Sequence, residues 1–172
     1  LMVSTDNGQS FPRRATIAID PTGQDINGEP VLSATRDGRL VCVIRKTDHE
    51  QKPMAITWSA DQGHTWSPPQ SLCDYGVWPC LQLLGNGALV LSYGRPGVHL
   101  RVSVDGNGES WSEPVTVVEG DHGWVTQHTC GYTSMLEMDA DSLLFAYSDF
   151  LHTDESGVQR KAIFVRRVRV GN

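Results

Sequence analysis

The 172-residue chain contains 14 Lys and Arg against 20 Asp and Glu residues, a formal net charge of −6. This balance argues against a nucleic-acid partner, because such partners favour a basic face. Hydrophobic residues make up 39% and charged residues 20%, and no apolar run is long enough to cross a bilayer. The composition predicts one globular domain or part of a larger one, without a membrane span.

The first residues, LMVSTDNGQSF, have neither the basic start nor the apolar stretch of a signal peptide. Because the first residue is not Met, this absence says little about location, and secreted, periplasmic and cytoplasmic locations all stay open.

In chain order, the sequence predicts three hairpins. They are GEPVLSATRDGRLVCVIRK (28–46), WPCLQLLGNGALVLSYGR (78–95) and YTSMLEMDADSLLFAYSDF (132–150). Asp-Gly and Asn-Gly between apolar runs are strong hairpin signals. Each hairpin is followed by a further apolar run, PMAITW, VHLRVS or AIFVRRVRV, and the first two by a short fourth run, PQSLCD or EPVTVVE.

A turn motif recurs at 4–11, 59–66 and 103–111, a period of about 50 residues that indicates a repeat architecture. Its Asp can accept hydrogen bonds from its own turn, its Gly relaxes the backbone, and its Trp can fold back as an apolar plug. We expect it to join the third and fourth strands as a structural turn. The motif residues are Ser4, Asp6, Gly8 and Phe11, then Ser59, Asp61, Gly63 and Trp66, then Ser103, Asp105, Gly108 and Trp111.

Four antiparallel strands in each repeat make one propeller blade. The predicted fold is all-β, a β-propeller of four-stranded blades with about three blades present. Residues 1–20 would end a preceding blade, and 28–75, 76–120 and 121–172 would form three more. Three blades do not close a ring, so we expect apolar end faces that a missing propeller half or a second copy in a homodimer would cover.

The turns resemble the Asp-boxes (BNR repeats) of the sialidase, or neuraminidase, superfamily, which is built on a six-bladed β-propeller. From residue 4 onward the chain resembles the C-terminal half of such a propeller. The resemblance implies that Glu29 assists the nucleophile, that Tyr132 is the nucleophile, and that Arg45 and Arg95 are the second and third arginines of a carboxylate-binding triad.

These residue types suit an acidic sugar. Arginine forks bind carboxylates in bidentate fashion. A neutral tyrosine hydroxyl avoids the repulsion that a carboxylate nucleophile would meet at an anionic centre, and a nearby Glu can accept its proton. We therefore expect a sialidase-like, retaining glycoside hydrolase that acts on a carboxylated glycan.

Further candidates for substrate binding are Trp78, Trp124 and His128, whose rings could line a sugar pocket. Ser148 occupies the place where sialidases carry a glutamate that steadies their first arginine, and Asp149 beside it is the candidate substitute. The chain has no Phe-Arg-Ile-Pro-like motif, from which sialidases take their first arginine.

Neither an organic cofactor nor a metal is expected. The spacing of His122, His128 and Cys130 matches no ligand pattern, and calcium stays open only because some sialidases bind it. None of Cys42, Cys73, Cys80 and Cys130 forms a Cys-x-x-Cys pair, so a zinc site is not expected. Cys73 and Cys80 could meet across a loop, but four free, mostly buried thiols are the expectation.

Two alternatives stay beside the enzyme. One is a catalytically inactive propeller that binds carbohydrate through its arginines. The other is a scaffold that mediates protein contacts.

Overall fold

The computed structural model describes residues 1–46, 52–120 and 131–171. These residues form eleven β-strands in three antiparallel sheets, and no helix occurs among them. The predicted all-β class is thereby confirmed. In this described part of the chain, no helix is long and apolar enough to cross a membrane.

The strands of each sheet are consecutive in the chain. The first sheet is β1 (Gly28–Ala34), β2 (Leu40–Arg45), β3 (Met54–Ser59) and β4 (Gln70–Cys73), hydrogen-bonded in that order. The second sheet is β5 (Val77–Leu83), β6 (Leu89–Gly94), β7 (Val98–Ser103) and β8 (Val115–Val118). The third sheet is β9 (Thr133–Asp139), β10 (Ser142–Thr153) and β11 (Gln159–Arg169), with β10 in the middle.

The tight turns between the first two strands of the first and second sheets follow the sequence signals. Gly38 and Gly87 take the left-handed conformation, with φ of +85° and +88°, which Gly adopts at little cost. The strands beside these turns are rich in Val, Ile and Leu, residues that pack well on a pleated surface.

Most of the core lies between neighbouring sheets. Val41, Val43 and Ile56 of the first sheet pack against Leu89 and Leu91 of the second. A second cluster joins the second and third sheets. Its buried members are Leu84, Val90, Val98, Leu100, Leu143, Phe145 and Tyr147. Each such aliphatic or aromatic side chain stabilises the fold by about 1.5–3 kcal/mol relative to an exposed one.

The first strands of the three sheets lie side by side, β1 next to β5 and β5 next to β9. They also run in the same sense, because the turns that follow them meet. Arg36 of the turn after β1 lies beside Gly87 of the turn after β5, where an added Cβ would stand 3.0 Å from the Arg36 Cδ. The N–H of Gly85 donates to Oε1 of Glu137, and the N–H of Asn86 donates to the carbonyl of Ala140, both at 2.7 Å. The opposite ends of β1, β5 and β9, where these strands begin at Gly28, Val77 and Thr133, therefore come together as well. We call them the near ends, and the candidate site lies there.

The outer face of the third sheet carries apolar side chains that the described residues leave exposed. Leu136, Ile163 and Val165 are 62%, 80% and 59% exposed. The outer face of the first sheet is partly covered, because Ile17 and Ala18 pack on its cluster of Cys42, Ile44 and Ala55.

Three of the four cysteines lie in described ranges. Cys42, Cys73 and Cys80 are free thiols, and Cys42 is buried. Cys130 lies outside the described residues.

Candidate active site

The three Ser-x-Asp turns share one hydrogen-bond pattern. In the second copy, the Ser59 hydroxyl donates to Asp61 at 2.9 Å and accepts the N–H of Gly63 at 2.8 Å. The same two bonds measure 2.7 and 2.8 Å in the first copy, and 2.6 and 3.0 Å in the third. The Trp66 indole N–H donates to the Gly63 carbonyl at 3.3 Å, and the tryptophan of the third copy does the same at 2.9 Å.

These hydrogen bonds favour the ionised form of each turn carboxylate. Donation from Ser10 lowers the pKa of Asp6 from 3.8 to about 2. Donation from Thr65 lowers the pKa of Asp61, and the serine of its own turn lowers the pKa of Asp105.

The turns lie away from the candidate site. In the first sheet Leu40 pairs with Ser59 at one end, and Gly28 pairs with Arg45 at the other. The Asp61 carboxylate is therefore a strand length from Glu29, and it accepts hydrogen bonds from residues of its own turn.

Glu29 and Arg45 meet at the near end of the first hairpin. Register brings them together, because Gly28 pairs with Arg45 and the ladder shifts before Val31. Arg45 is 9% exposed, and its Nη1 donates to Oε1 of Glu29 at 2.6 Å. This ion pair fixes one oxygen of the carboxylate and offsets part of the arginine's charge.

Trp78 occupies the same place in the second sheet as Glu29 does in the first. Its ladder also shifts, between Val77 and Cys80. The main-chain N–H of Trp78 donates to Oε2 of Glu29 at 2.7 Å. Both oxygens of Glu29 are therefore held, one by Arg45 and the other by the neighbouring sheet.

Tyr132 directly precedes β9 and is 50% exposed. Its ring lies edge to face with Trp78, with 5.0 Å between ring centroids and an interplanar angle of 81°. The N–H of Ser148 donates to the Tyr132 carbonyl at 3.3 Å. Within the described residues Tyr132 is linked to Glu29 through Trp78 and by no direct hydrogen bond.

Arg95 lies beside Tyr132 at the end of β6. A Cβ atom on Gly131 would stand 3.2 Å from its Nε, so the guanidinium runs along the residue before Tyr132. This Nε is buried and has no hydrogen-bond partner among the described residues. Arg95 makes no ion pair within the described residues, whereas Arg45 already holds Glu29.

Asp149, the one remaining predicted substrate-binding residue within the described ranges, has no contact with this group there. Oδ1 of Asp149 accepts the N–H of Leu151 at 2.9 Å, a bond within its own strand. Trp124 and His128 lie outside the described residues.

Three site residues, Glu29, Trp78 and Arg95, have positive φ of 43°, 49° and 55°. A left-handed conformation costs a non-Gly residue roughly 1–2 kcal/mol, and such residues cluster at functional sites. Sequence reasoning missed this property. Each of the three precedes Pro, but a residue before Pro is pushed towards extended backbone with negative φ, so no signal in the sequence indicated the left-handed conformation.

Sequence reasoning also missed a buried polar contact beneath Tyr132. The hydroxyls of Ser92 and Thr133 lie 2.8 Å apart between the second and third sheets. Cys80 donates its thiol to the Thr133 carbonyl at 3.1 Å. These bonds anchor the start of β9 and so the backbone that carries Tyr132.

Solved structures resemble this chain in fold. A protein of unknown function from Dyadobacter fermentans DSM 18053 matches with a TM-score of 0.76 at 16% identity, over 99% of this chain and 45% of that chain. The GH93 α-L-arabinofuranosidase of Fusarium graminearum, solved with arabinobiose, matches with 0.67 at 14% identity, over 96% and 53%.

The intramolecular trans-sialidase from Ruminococcus gnavus, solved with oseltamivir carboxylate, matches with a TM-score of 0.63 at 19% identity, over 98% of this chain and 37% of that chain. The chain thus spans about half the length of these structures or less. The likeness confirms the predicted propeller fold. A search of curated proteins finds no significant match.

The BNR repeat-like domain model matches residues 1–158, which include all three Ser-x-Asp turns and every residue placed at the near end of the sheets. The predicted membership of the sialidase/BNR-type propellers is confirmed. This chain belongs to the BNR repeat-like domain family.

Proposed function

We propose that the protein is a retaining glycoside hydrolase that acts on a carboxylated glycan at the near end of β1, β5 and β9. The observation that carries the proposal is the continuous contact from Arg45 through Glu29 and Trp78 to Tyr132. It joins a guanidinium, a carboxylate and a half-exposed phenol across three sheets. The glycoside hydrolases among the structures of similar fold support this class.

In the proposed reaction, the Tyr132 oxygen attacks the anomeric carbon as the bond to the leaving group breaks. The phenolic proton passes to Glu29. A proton for the leaving group comes from an acid that the described residues do not supply, and water then releases the sugar from Tyr132. Catalytic hydrogen bonds are often long before substrate binds, which accommodates the present separation of Tyr132 from Glu29.

Arg45 and Arg95 form the proposed anion clamp, with unequal shares. Arg45 donates to Glu29, so its charge is partly offset before any ligand arrives. Arg95 pairs with no carboxylate within the described residues, so its charge is not offset in this way, and it is the main proposed contact to the substrate carboxylate. Asp149, Trp124 and His128 stay predictions as further binding residues.

A catalytically inactive, carbohydrate-binding propeller is the second candidate. It is favoured by Ser148, whose buried hydroxyl has no partner among the described residues and stands where a sialidase carries glutamate. It is also favoured by the engagement of both Glu29 oxygens in other bonds.

Hydrolysis of 4-methylumbelliferyl glycosides tests the proposal. The panel contains N-acetylneuraminic, glucuronic and galacturonic acids, with neutral α-L-arabinofuranose as the contrast. We expect release from an acidic member, and a fall in kcat of roughly 100-fold or more in Tyr132→Phe and Glu29→Gln, because each removes a reacting group. Tyr147→Phe, in the core, and Glu155→Gln, on an exposed turn, are the matched controls.

Release of arabinose alone would contradict the acidic substrate class. Acidic-glycan binding without release would favour the inactive, carbohydrate-binding propeller. A protein that neither binds nor cleaves any member would be left with the scaffold role.

A further inference from the structure

Trp78 is held in an unusual backbone position that exposes its ring. Its φ is 49°, it precedes Pro79, and it stands at the shifted ladder of β5. The preceding Val77 is 1% exposed, whereas Trp78 is 45% exposed. A tryptophan needed only for core packing would be covered, so the strained backbone serves to present the indole at the surface.

Trp78 contacts both reacting groups of the proposed site, Glu29 through its main chain and Tyr132 through its ring. Its main-chain N–H holds Glu29 at 2.7 Å, and its ring stands at 81° to the Tyr132 ring. Thr133, next to Tyr132, donates its hydroxyl to the Trp78 carbonyl at 3.5 Å. Trp78 therefore contacts both groups that a ligand must reach in the proposed reaction.

We propose that the Trp78 indole is a stacking platform that selects cyclic sugars, and this inference rests on the proposed function. One apolar C–H face of the sugar ring lies on the indole, while the carboxylate of the same sugar reaches Arg95. Aromatic side chains suit this role because their large apolar faces contact a ring at little conformational cost. Trp78 thus determines which anions the site accepts, since an open-chain carboxylate gains nothing from the platform.

Calorimetric titration of the protein with a cyclic and an acyclic ligand tests the platform. The ring ligands are the methyl glycosides of glucuronic, galacturonic and N-acetylneuraminic acids. The acyclic ligand is D-gluconate, which carries one carboxylate and several hydroxyls but no ring face. The variants are Trp78→Ala and Trp78→Phe, with Phe11→Ala as the matched loss of an exposed aromatic (57% exposed) in a turn. All keep the main-chain N–H at position 78.

We expect Trp78→Ala to weaken binding of the ring ligand roughly tenfold. Trp78→Phe should recover most of it, Phe11→Ala should leave it unchanged, and gluconate should bind all four proteins alike. Equal losses for ring and open-chain ligands would show that the alanine acts through the fold, and would overturn the platform. Unchanged binding of the ring ligand in Trp78→Ala would overturn it too, with the proposed function intact. A wild-type protein that binds no ring ligand would overturn the acidic-glycan function itself.

Discussion

The ion pair between Arg45 and Glu29 bears on which role Arg45 has in the candidate site. Arg45 is buried, and its partner carboxylate is 2.6 Å away with 24% of its side chain exposed. The resemblance to sialidases assigns Arg45 to the substrate carboxylate. The ion pair supports a second role, in which Arg45 positions Glu29 for Trp78 and Tyr132.

The pair leads to a stability prediction. Arg45→Met should lower the free energy of unfolding by roughly 2 kcal/mol, because it leaves a largely desolvated carboxylate with one charged hydrogen bond fewer. The double variant Arg45→Met, Glu29→Gln should recover part of this loss, since no charge is then left unpaired. Urea unfolding measures all three. Arg160→Met, which breaks the more exposed pair with Asp154, should cost less than about 1 kcal/mol. Equal losses in Arg45→Met and Arg160→Met would contradict the buried character of the pair.

At the scale of the element, the Ser-x-Asp turn is a self-contained unit. The Asp61 carboxylate accepts the N–H and the hydroxyl of Thr65 at 2.8 and 2.6 Å, and Asp6 accepts the same two groups of Ser10 at 2.9 and 2.6 Å. Since these bonds are local, a sequence motif is sufficient to encode them. The turn therefore recurs with little dependence on the strands beside it.

The turns also lead to a prediction for acid stability. A carboxylate whose pKa is lower in the folded chain stabilises the fold above its unfolded pKa, and this stabilisation is lost as the pH falls through the folded value. For Asp6 the window runs from 3.8 down to about 2, and Asp61 and Asp105 are shifted in the same direction. Thermal unfolding midpoints should therefore fall between pH 4 and pH 2.

The variant Asp61→Asn should flatten that fall and lower the midpoint at pH 7. Glu155→Gln removes one exposed carboxylate outside the motif and is the control. The same pH profile in both variants would refute a special contribution of the turn.

At the scale of the whole molecule, the turns hold neighbouring sheets together. The Arg36 N–H donates to the Gly106 carbonyl at 3.0 Å, the Trp58 indole donates to the Asn107 carbonyl at 2.9 Å, and Arg39 pairs with Glu109 at 2.6 Å. The third Ser-x-Asp turn is thus bound to the first sheet by these two hydrogen bonds and this ion pair. The open apolar face of the third sheet has no such neighbour among the residues that the structure describes, and we propose that further blades, of the same protein or of a second copy, cover it.

Two glycine variants should distinguish the close packing of the third Ser-x-Asp turn from the conformational cost of a positive φ alone. Gly38 and Gly106 both have positive φ, +85° and +74°. A Cβ on Gly38 would meet nothing within 4 Å, whereas one on Gly106 would stand 2.0 Å from the Gly87 carbonyl oxygen of its own sheet and 2.8 Å from Cβ of Arg36 in the first sheet. Gly38→Ala should therefore cost about 1 kcal/mol from backbone conformation alone, and Gly106→Ala about 3 kcal/mol, because the turn must also move away from Gly87 and Arg36. Chemical denaturation of both variants tests this, and similar losses would contradict close packing of the turn.

Much of the fold could be predicted from sequence signals that involve only a few neighbouring residues. Asp37-Gly38 and Asn86-Gly87 mark hairpins through backbone preferences that neighbouring residues do not alter, and the Ser-x-Asp turns satisfy their own hydrogen bonds. Glu29 and Tyr132 could be picked out because the resemblance to sialidases assigns catalytic groups to the starts of these first strands. Their chemical roles stay predictions.

The sequence by itself determined the strands, the turns and the repeat, because these depend on residues a few positions apart. Only the tertiary structure decided that Arg45 holds Glu29 and that Trp78 touches both Glu29 and Tyr132. The contacts of Trp78 cross from one sheet to the next. They depend on how the sheets pack and on left-handed backbone at Glu29 and Trp78, and no periodicity within a single strand encodes either.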